Sequence, residues 1–257
     1  MNGRIMSTMD IRACDGNSYR MAYEKYGHLQ GIIETMLLNV YCAHRIDAGD
    51  IVVDLGAGIG DFTVMASRAA GERGVVLAIE PSPGNFKLLQ ENIRSNNAKN
   101  VILKQYAVSN KEGEVEVNWA DERYFAKAKS LSQIFTESIG VTASPSVIKA
   151  DIEGAETTAL DVAPQFLSKT HMISIELHGT KKEIDGILVP LGYRFKQFSQ
   201  RTLFSAVIRQ LVMHPIQLSR FYGQYKKLGG KRRLMKASLT GTKITTIGNT
   251  RVGMYYK

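Results

Sequence analysis

The sequence predicts a doubly wound α/β fold: a mostly parallel sheet with helices on both faces and an antiparallel hairpin at its C-terminal end. Three observations carry that expectation. Short apolar runs at 51–55, 75–79 and 101–103 alternate with helical patterns at 62–70 and from Pro83 onward, giving strand, helix, strand, helix, strand. The runs are apolar at consecutive positions, as strands covered on both faces are. Asp54-Leu55-Gly56-Ala57-Gly58-Ile59-Gly60-Asp61 then sets a glycine-rich turn between the first strand and the helix that follows.

Ile32, Ile33, Met36, Leu37 and Val40 repeat at helical spacing and predict an amphipathic helix over 29–43. Pro83 opens the second crossover helix, with Phe86, Leu88, Leu89 and Ile93 toward the core. Val115 and Val117 alternate with charged residues and predict a short edge strand, after which 120–145 reads as a loop or lid with a little helix. Apolar runs from Val147 and over 172–177 predict a fourth and a fifth strand, both followed by acids, and 192–198 a sixth. A basic helical stretch over 203–236 precedes a terminal hairpin over 243–256 that turns at Gly248 and Asn249. The expected division is an N-terminal helical segment over 1–48, a ligand-binding core over 49–200, and a basic helical insertion with the terminal hairpin over 201–257, completing the same domain.

The 257 residues, 44% hydrophobic and 22% charged, are ordinary for a globular protein and exclude a disordered chain, a collagen or a disulfide miniprotein. The best candidate for a membrane span, 203–213, is broken by Arg209 and Gln210, and 1–16 has no apolar block of a secretory signal. Cys14 and Cys42 form no CxxC pair, so a cytoplasmic protein with free thiols is the expectation. The net charge of +9 is unevenly placed: of 33 Lys and Arg, 12 lie in 201–257, where there is no Asp or Glu, so the first 200 residues carry 21 against 24 acids. That basic quarter suits a surface that meets phosphate, an anionic membrane face or an acidic substrate, or else a solvated face that keeps the protein soluble.

The glycines fall as G-x-G-x-G, and a dinucleotide fingerprint would need a third glycine where Asp61 stands. Asp54 and Asp61 would repel a pyrophosphate and welcome a cation. S-adenosylmethionine meets that description, with an adenosine, an ammonium, a sulfonium and no phosphate. Glu80 ends the second strand, where an acid can take both ribose hydroxyls, with Pro81 beside it. Ala107 and Val108, past the third strand, either meet the adenine through their backbone or simply pack.

A second cluster is Lys149-Ala150-Asp151-Ile152-Glu153-Gly154-Ala155-Glu156. Ligands of open α/β sheets sit outside the carboxyl ends of the strands, so Asp151 and Glu153 should face the same crevice as Gly56, Ala57, Gly58 and Gly60. Either carboxylate could accept a proton from an acceptor hydroxyl, orient it, or bind a divalent metal that does so. Glu156 reads instead as a first-turn acid stabilised by the helix macrodipole. Glu176 and His178 alternate onto one side of the fifth strand, so His178 is a candidate base with a carboxylate orienter, a partner of Asp151 and Glu153 in a hard-cation site, or a surface histidine.

VVDLGAGIGDFT, AIEPSPGNFKLLQENI and IKADIEGAE followed by ISIELHG together resemble the FkbM family of S-adenosylmethionine-dependent methyltransferases. The resemblance spans roughly residues 25 to 200. It implies a class I methyltransferase (Rossmann-like) fold, cofactor binding at Asp54, Gly56, Ala57, Gly58, Gly60 and Glu80, with Asp151 bordering the same site, and O-methylation of a hydroxyl on a small molecule, glycan or secondary metabolite. Gly58 stands where many members carry Asn, and the basic segment after Arg201 does not map onto the family pattern. Rival readings are an RNA methyltransferase, acting on ribose or base through the basic segment, and a non-enzymatic membrane-peripheral module using 203–225. A nicotinamide dehydrogenase is disfavoured by Asp61. An Asn/Asp-Pro-Pro-aromatic motif and a Pro-Cys pair, which the commonest base methylations use, are both missing from the sequence.

Overall fold

The computed structural model describes residues 6–119, 122–161, 164–197, 200–228 and 252–257. The chain divides into two compact units, residues 1–40 with 198–250 and residues 41–197 with 251–257. These boundaries differ from the expected ones, because the basic insertion groups with the N-terminal residues whereas the final strand belongs to the core.

The first unit begins with β1 (Ser7–Arg12) and β2 (Ser18–Tyr23), an antiparallel pair where a helical segment was expected. Asp15 fixes the turn by accepting from the Asn17 backbone N–H at 2.9 Å and the Tyr19 hydroxyl at 2.6 Å. Next, α1 (Tyr26–Ile32) runs into a π-helical turn, Ile33–Leu37. The helix expected over 29–43 stops there, and Asn39 takes a left-handed φ of 54°.

The second unit is built on β3 (Ile51–Leu55), α2 (Asp61–Ala70), β4 (Val75–Ile79), α3 (Pro83–Ser95) and β5 (Val101–Lys104), the alternation read from the sequence. Then β6 (Ala107–Val108), β7 (Gly113–Trp119) and β8 (Glu122–Lys129) form a separate sheet in the order β6-β8-β7, with β7 at its edge as expected. The stretch expected as a loop or lid with a little helix holds β8 in addition, and its helix is α4 (Leu131–Ser138), which starts at a Ser130–Gln133 capping box.

Next come β9 (Val147–Ala150), α5 (Glu156–Asp161), α6 (Pro164–Leu167), β10 (Met172–Glu176), α7 (Lys181–Leu188) and β11 (Arg194–Gln197). The chain returns to the first unit for α8 (Gln200–Met213) and α9 (Pro215–Lys227), and ends in the second unit with β12 (Val252–Tyr256).

The main sheet has the order β11-β12-β10-β9-β3-β4-β5. Its parallel ladder confirms the doubly wound fold, with β12 antiparallel to both neighbours, β10 and β11. Residues 243–251, including the turn expected at Gly248 and Asn249, lie outside the described residues.

Strand alternation decides what each face of the sheet receives. Val53, Leu55, Ile148, Ala150, Ile173 and Ile175 enter one large apolar cluster with Phe135 and Ile184. Asp54, Lys149 and Ser174, in register across β3, β9 and β10, are the residues between them and so point to the opposite face. A polar row thus runs beneath the carboxyl ends of the strands.

The start of β4 leaves no room for a side chain on the residue before it. A Cβ on Gly74 would lie 2.7 Å from the carbonyl oxygens of both Ala70 and Asp50. Gly74→Ala should therefore lower the unfolding free energy by about 1–3 kcal/mol. Gly186→Ala, in α7 with open space around it, should leave stability unchanged or raise it by up to ~1 kcal/mol. Urea denaturation of the two variants checks the contrast.

Candidate active site

The glycine turn is held to its neighbours by backbone. The N–H groups of Gly56 and Ala57 both donate to the Ile79 carbonyl at 3.0 Å, and Asp151 N–H donates to the Leu55 carbonyl at 3.1 Å. Gly56 has a φ of 70°, and a Cβ there would fall 1.8 Å from the Asp151 carbonyl oxygen. Only glycine lets the loop and the end of β9 meet. Gly58 faces the other way, with no heavy atom within 4 Å of a Cβ built on it, which leaves space for a ligand against bare backbone.

Gly58 N–H donates to Glu80 Oε2 at 2.8 Å, while Ser82 N–H and Asn85 Nδ2 donate to Oε1 at 3.0 and 3.3 Å. Burial pushes the Glu80 carboxyl up to about 7 against these donors. Three of a carboxylate's roughly four acceptor positions are thus occupied, so a bidentate grip on two ribose hydroxyls requires a donor to yield. Pro81 is half-buried next to it. Ala107 lies in the small cluster of the second sheet and Val108 packs against the main core, so both have packing roles.

The expectation that Asp54 greets a cationic ligand is corrected by its surroundings. Its side chain is fully buried, accepts from Thr63 Oγ1 at 2.6 Å, and lies 3.2 Å from Lys149 Nζ. The Lys149 ammonium directs its protons to the carbonyls of Gly56 at 2.5 Å and Leu55 at 3.3 Å, so its contact with Asp54 Oδ1 is an ion pair without hydrogen-bond alignment. Burial lowers the lysine's pKa, but Asp54, Asp151 and Asp61 outweigh it and the net shift is upward. Asp54 and Lys149 therefore clamp the glycine turn from beneath.

At the ends of β9 and β10 the Tyr41 hydroxyl donates to Asp151 Oδ2 at 2.9 Å and reaches Glu176 Oε2 at 3.5 Å, joining two carboxylates from neighbouring strands. His178 bonds through Nδ1 to Glu156 Oε1 at 2.9 Å, while its Nε2 lies 3.3 Å from Glu153 and 3.7 Å from Glu176. The hydrogen bond to Glu156 raises its pKa to about 9, opposed by burial and helped by Glu176 and Glu153. The upward shift favours the imidazolium at neutral pH, which weighs against His178 as a general base. Glu156 is a fully buried hub and more than a first-turn acid, for it also accepts from Gly154 N–H at 2.9 Å and from Thr180 Oγ1 at 3.3 Å. The two thiols are no nucleophiles, since burial pushes Cys14 and Cys42 up to about 11.

With this geometry in place, likeness to known proteins can be weighed. The Methyltransferase FkbM domain matches the chain over residues 54–211. The chain belongs to the FkbM methyltransferase family. A curated relative is the hexuronic acid methyltransferase AglP of Haloferax volcanii, 25% identical over 140 residues, which are 50% of this chain and 56% of the relative. The chain thus spans about half the length of the curated relative it matches.

Two solved structures are similar to it at low identity. Precorrin-6y C5,15-methyltransferase from Geobacter metallireducens is 16% identical, with 62% of this chain and 71% of that one covered and a TM-score of 0.44. A SAM-dependent O-methyltransferase from Thermotoga maritima is also 16% identical, with 73% and 64% covered and a TM-score of 0.44.

Within this FkbM domain, Asp151, Glu153 and His178 offer ligand atoms within 4.8 Å of one another. A divalent cation could share them only by displacing the imidazolium proton.

Two outcomes follow. Lys149→Met leaves Asp54 buried beside an apolar side chain and should cost about 3–5 kcal/mol, with a smaller loss in the Asp54→Asn/Lys149→Met double variant; thermal denaturation of both checks it. His178 binds its proton more tightly in the folded state, so its contribution to stability is complete below about pH 6.5 and is lost as pH rises toward about 9. The urea midpoint should fall across that window in the wild type and stay flatter in Glu156→Gln. A midpoint that climbs instead would sink the imidazolium assignment.

Proposed function

We propose that this FkbM-family chain is an S-adenosylmethionine-dependent O-methyltransferase that methylates a hydroxyl of a saccharide or small molecule. The observation that carries the reading is the contact of two loops: the Asp151 backbone touches Gly56, and the Asp151 carboxylate shares the Tyr41 hydroxyl with Glu176. A carboxylate suited to receive a proton thus borders the glycine turn.

The residues present fit the cofactor. Gly58 leaves bare backbone, Glu80 offers a carboxylate for ribose hydroxyls, and Asp61 with Glu80 suits a ligand carrying positive charge and disfavours a phosphate. When bound, S-adenosylmethionine supplies a methyl group on a sulfonium. The chain's own part is to hold the acceptor oxygen in line and take its proton. Asp151 is the proposed acceptor of that proton, with Tyr41 fixing its orientation. His178 becomes a positioning residue, whose positive charge tempers the repulsion among Glu153, Glu156 and Glu176.

Alignment of two bound reactants can contribute about 7–11 kcal/mol, more than the roughly 10²- to 10⁴-fold of a well-placed base. AglP is named for methylating a hexuronic acid, which supports a saccharide as the first acceptor class to test.

Asp151→Asn should reduce methyl transfer to a glycan panel by about 10²- to 10⁴-fold while S-adenosylhomocysteine affinity, read by calorimetry, changes little. Parallel loss of both in a folded variant would remove Asp151 from the role of base.

A further inference from the structure

In the helical pair of the first unit, among the described side chains, Gln210 donates through its amide to the Leu37 carbonyl at 3.3 Å and Phe221 is buried. Gln217 makes a two-way bond to the Arg12 backbone, accepting from its N–H at 2.7 Å and donating to its carbonyl at 3.0 Å. Exposed on the same pair are Ile208, Val212, Met213 and Ile216, at 43%, 73%, 65% and 71%. A surface helix ordinarily buries its aliphatic stripe and shows its amides to water. Here β1 is gripped by an amide and the aliphatic residues project at the corner between α8 and α9.

Charge indicates what such a corner meets. Arg209 and Arg220 are exposed beside it and Lys226 and Lys227 end α9. Across 201–257 there are 12 Lys and Arg with no Asp or Glu. An RNA surface would use the cations but has no use for a row of exposed aliphatic side chains. An aqueous, charge-neutral partner would use the aliphatics but not the cations. A bilayer with anionic headgroups uses both, the aliphatics entering the acyl boundary while the long basic side chains reach back to phosphate. No helix among the described residues is long and apolar enough to cross a membrane, so the contact would lie in the interface.

We infer that the α8–α9 corner, led by Val212, Met213 and Ile216 and flanked by Arg209, Arg220, Lys226 and Lys227, is a docking surface for anionic lipid bilayers. This goes beyond methyl transfer and does not depend on it.

The test is flotation of the full chain with phosphatidylcholine vesicles with and without phosphatidylglycerol. The wild type should partition to the anionic vesicles about tenfold more strongly than to the neutral ones, as expected of several basic residues at a charged surface. Val212→Asp/Ile216→Asp, both at exposed positions, should abolish flotation with circular dichroism unchanged. Lys226→Glu/Lys227→Glu should remove the preference for anionic lipid.

Three results would overturn the inference: no flotation of the wild type, equal flotation of the aspartate variant, or a dimer in sedimentation that the aspartate variant dissolves, which would mean that a second copy covers the corner. RNA binding that survives the aspartate substitutions, without flotation, would assign the basic segment to nucleic acid instead.

Discussion

The buried ion pair between Lys149 and Asp54 is the interaction on which the glycine turn rests. Two charges removed from water are costly, and their attraction compensates only when the remaining protons and lone pairs are satisfied. Thr63 closes one oxygen of Asp54, and the carbonyls of Leu55 and Gly56 take the ammonium's protons. Because those carbonyls turn down toward the lysine, the turn is pinned at its first two residues, and Gly58 can present its N–H to Glu80. The row across β3 and β9 that supplies the pair is set by strand register alone. The charge of Asp54 is thus used up inside the protein.

The other half of the candidate site is organised by Glu156. It sits behind the loop after β9, where Glu153 takes a left-handed φ of 52° and Gly154 one of 97°. Glu156 holds the Gly154 N–H and the His178 ring with the same oxygen, Oε1. A non-glycine residue in that conformation persists where its surroundings hold it, and such positions gather at functional sites. The imidazolium is thereby placed among Glu153, Glu156 and Glu176, a cation supplied by the chain where carboxylates would otherwise repel one another.

Much of the main sheet was legible because its strands are continuous apolar runs ended by glycines or acids, and 51–55 and 75–79 were read to the residue. The glycine turn and Glu80 were legible for the same reason, since their positions follow from strand ends. What escaped was anything set by long-range packing. Tyr41 meets Asp151 across 110 positions of sequence, and nothing local marks it. Lys149 looked like one charge in an acidic motif, although strand alternation could have placed it opposite Asp54. Glu156 meets His178 across 22 positions, and the helix-dipole account was sufficient locally, so its wider role escaped. The second sheet was half legible: β7 alternates with valines, whereas the apolar face of β8, Tyr124, Ala126 and Ala128, is made mostly of alanines and is masked by the exposed Phe125 between them.

The position of β12 has a consequence for how the protein is made. It lies between β10 and β11, although it follows them by more than 50 residues, and pairs with both along its length. During synthesis, β10 and β11 must emerge and wait while α8, α9 and the segment after them are translated. For that interval two strands hold open edges one strand-width apart, the arrangement most prone to pairing with another chain. The sheet is then completed by insertion and not by growth at its rim, which makes the closing contact one of high sequence separation. Nascent chains halted before residue 252 would be the aggregation-prone species in this protein's biogenesis, and chaperone demand should peak there.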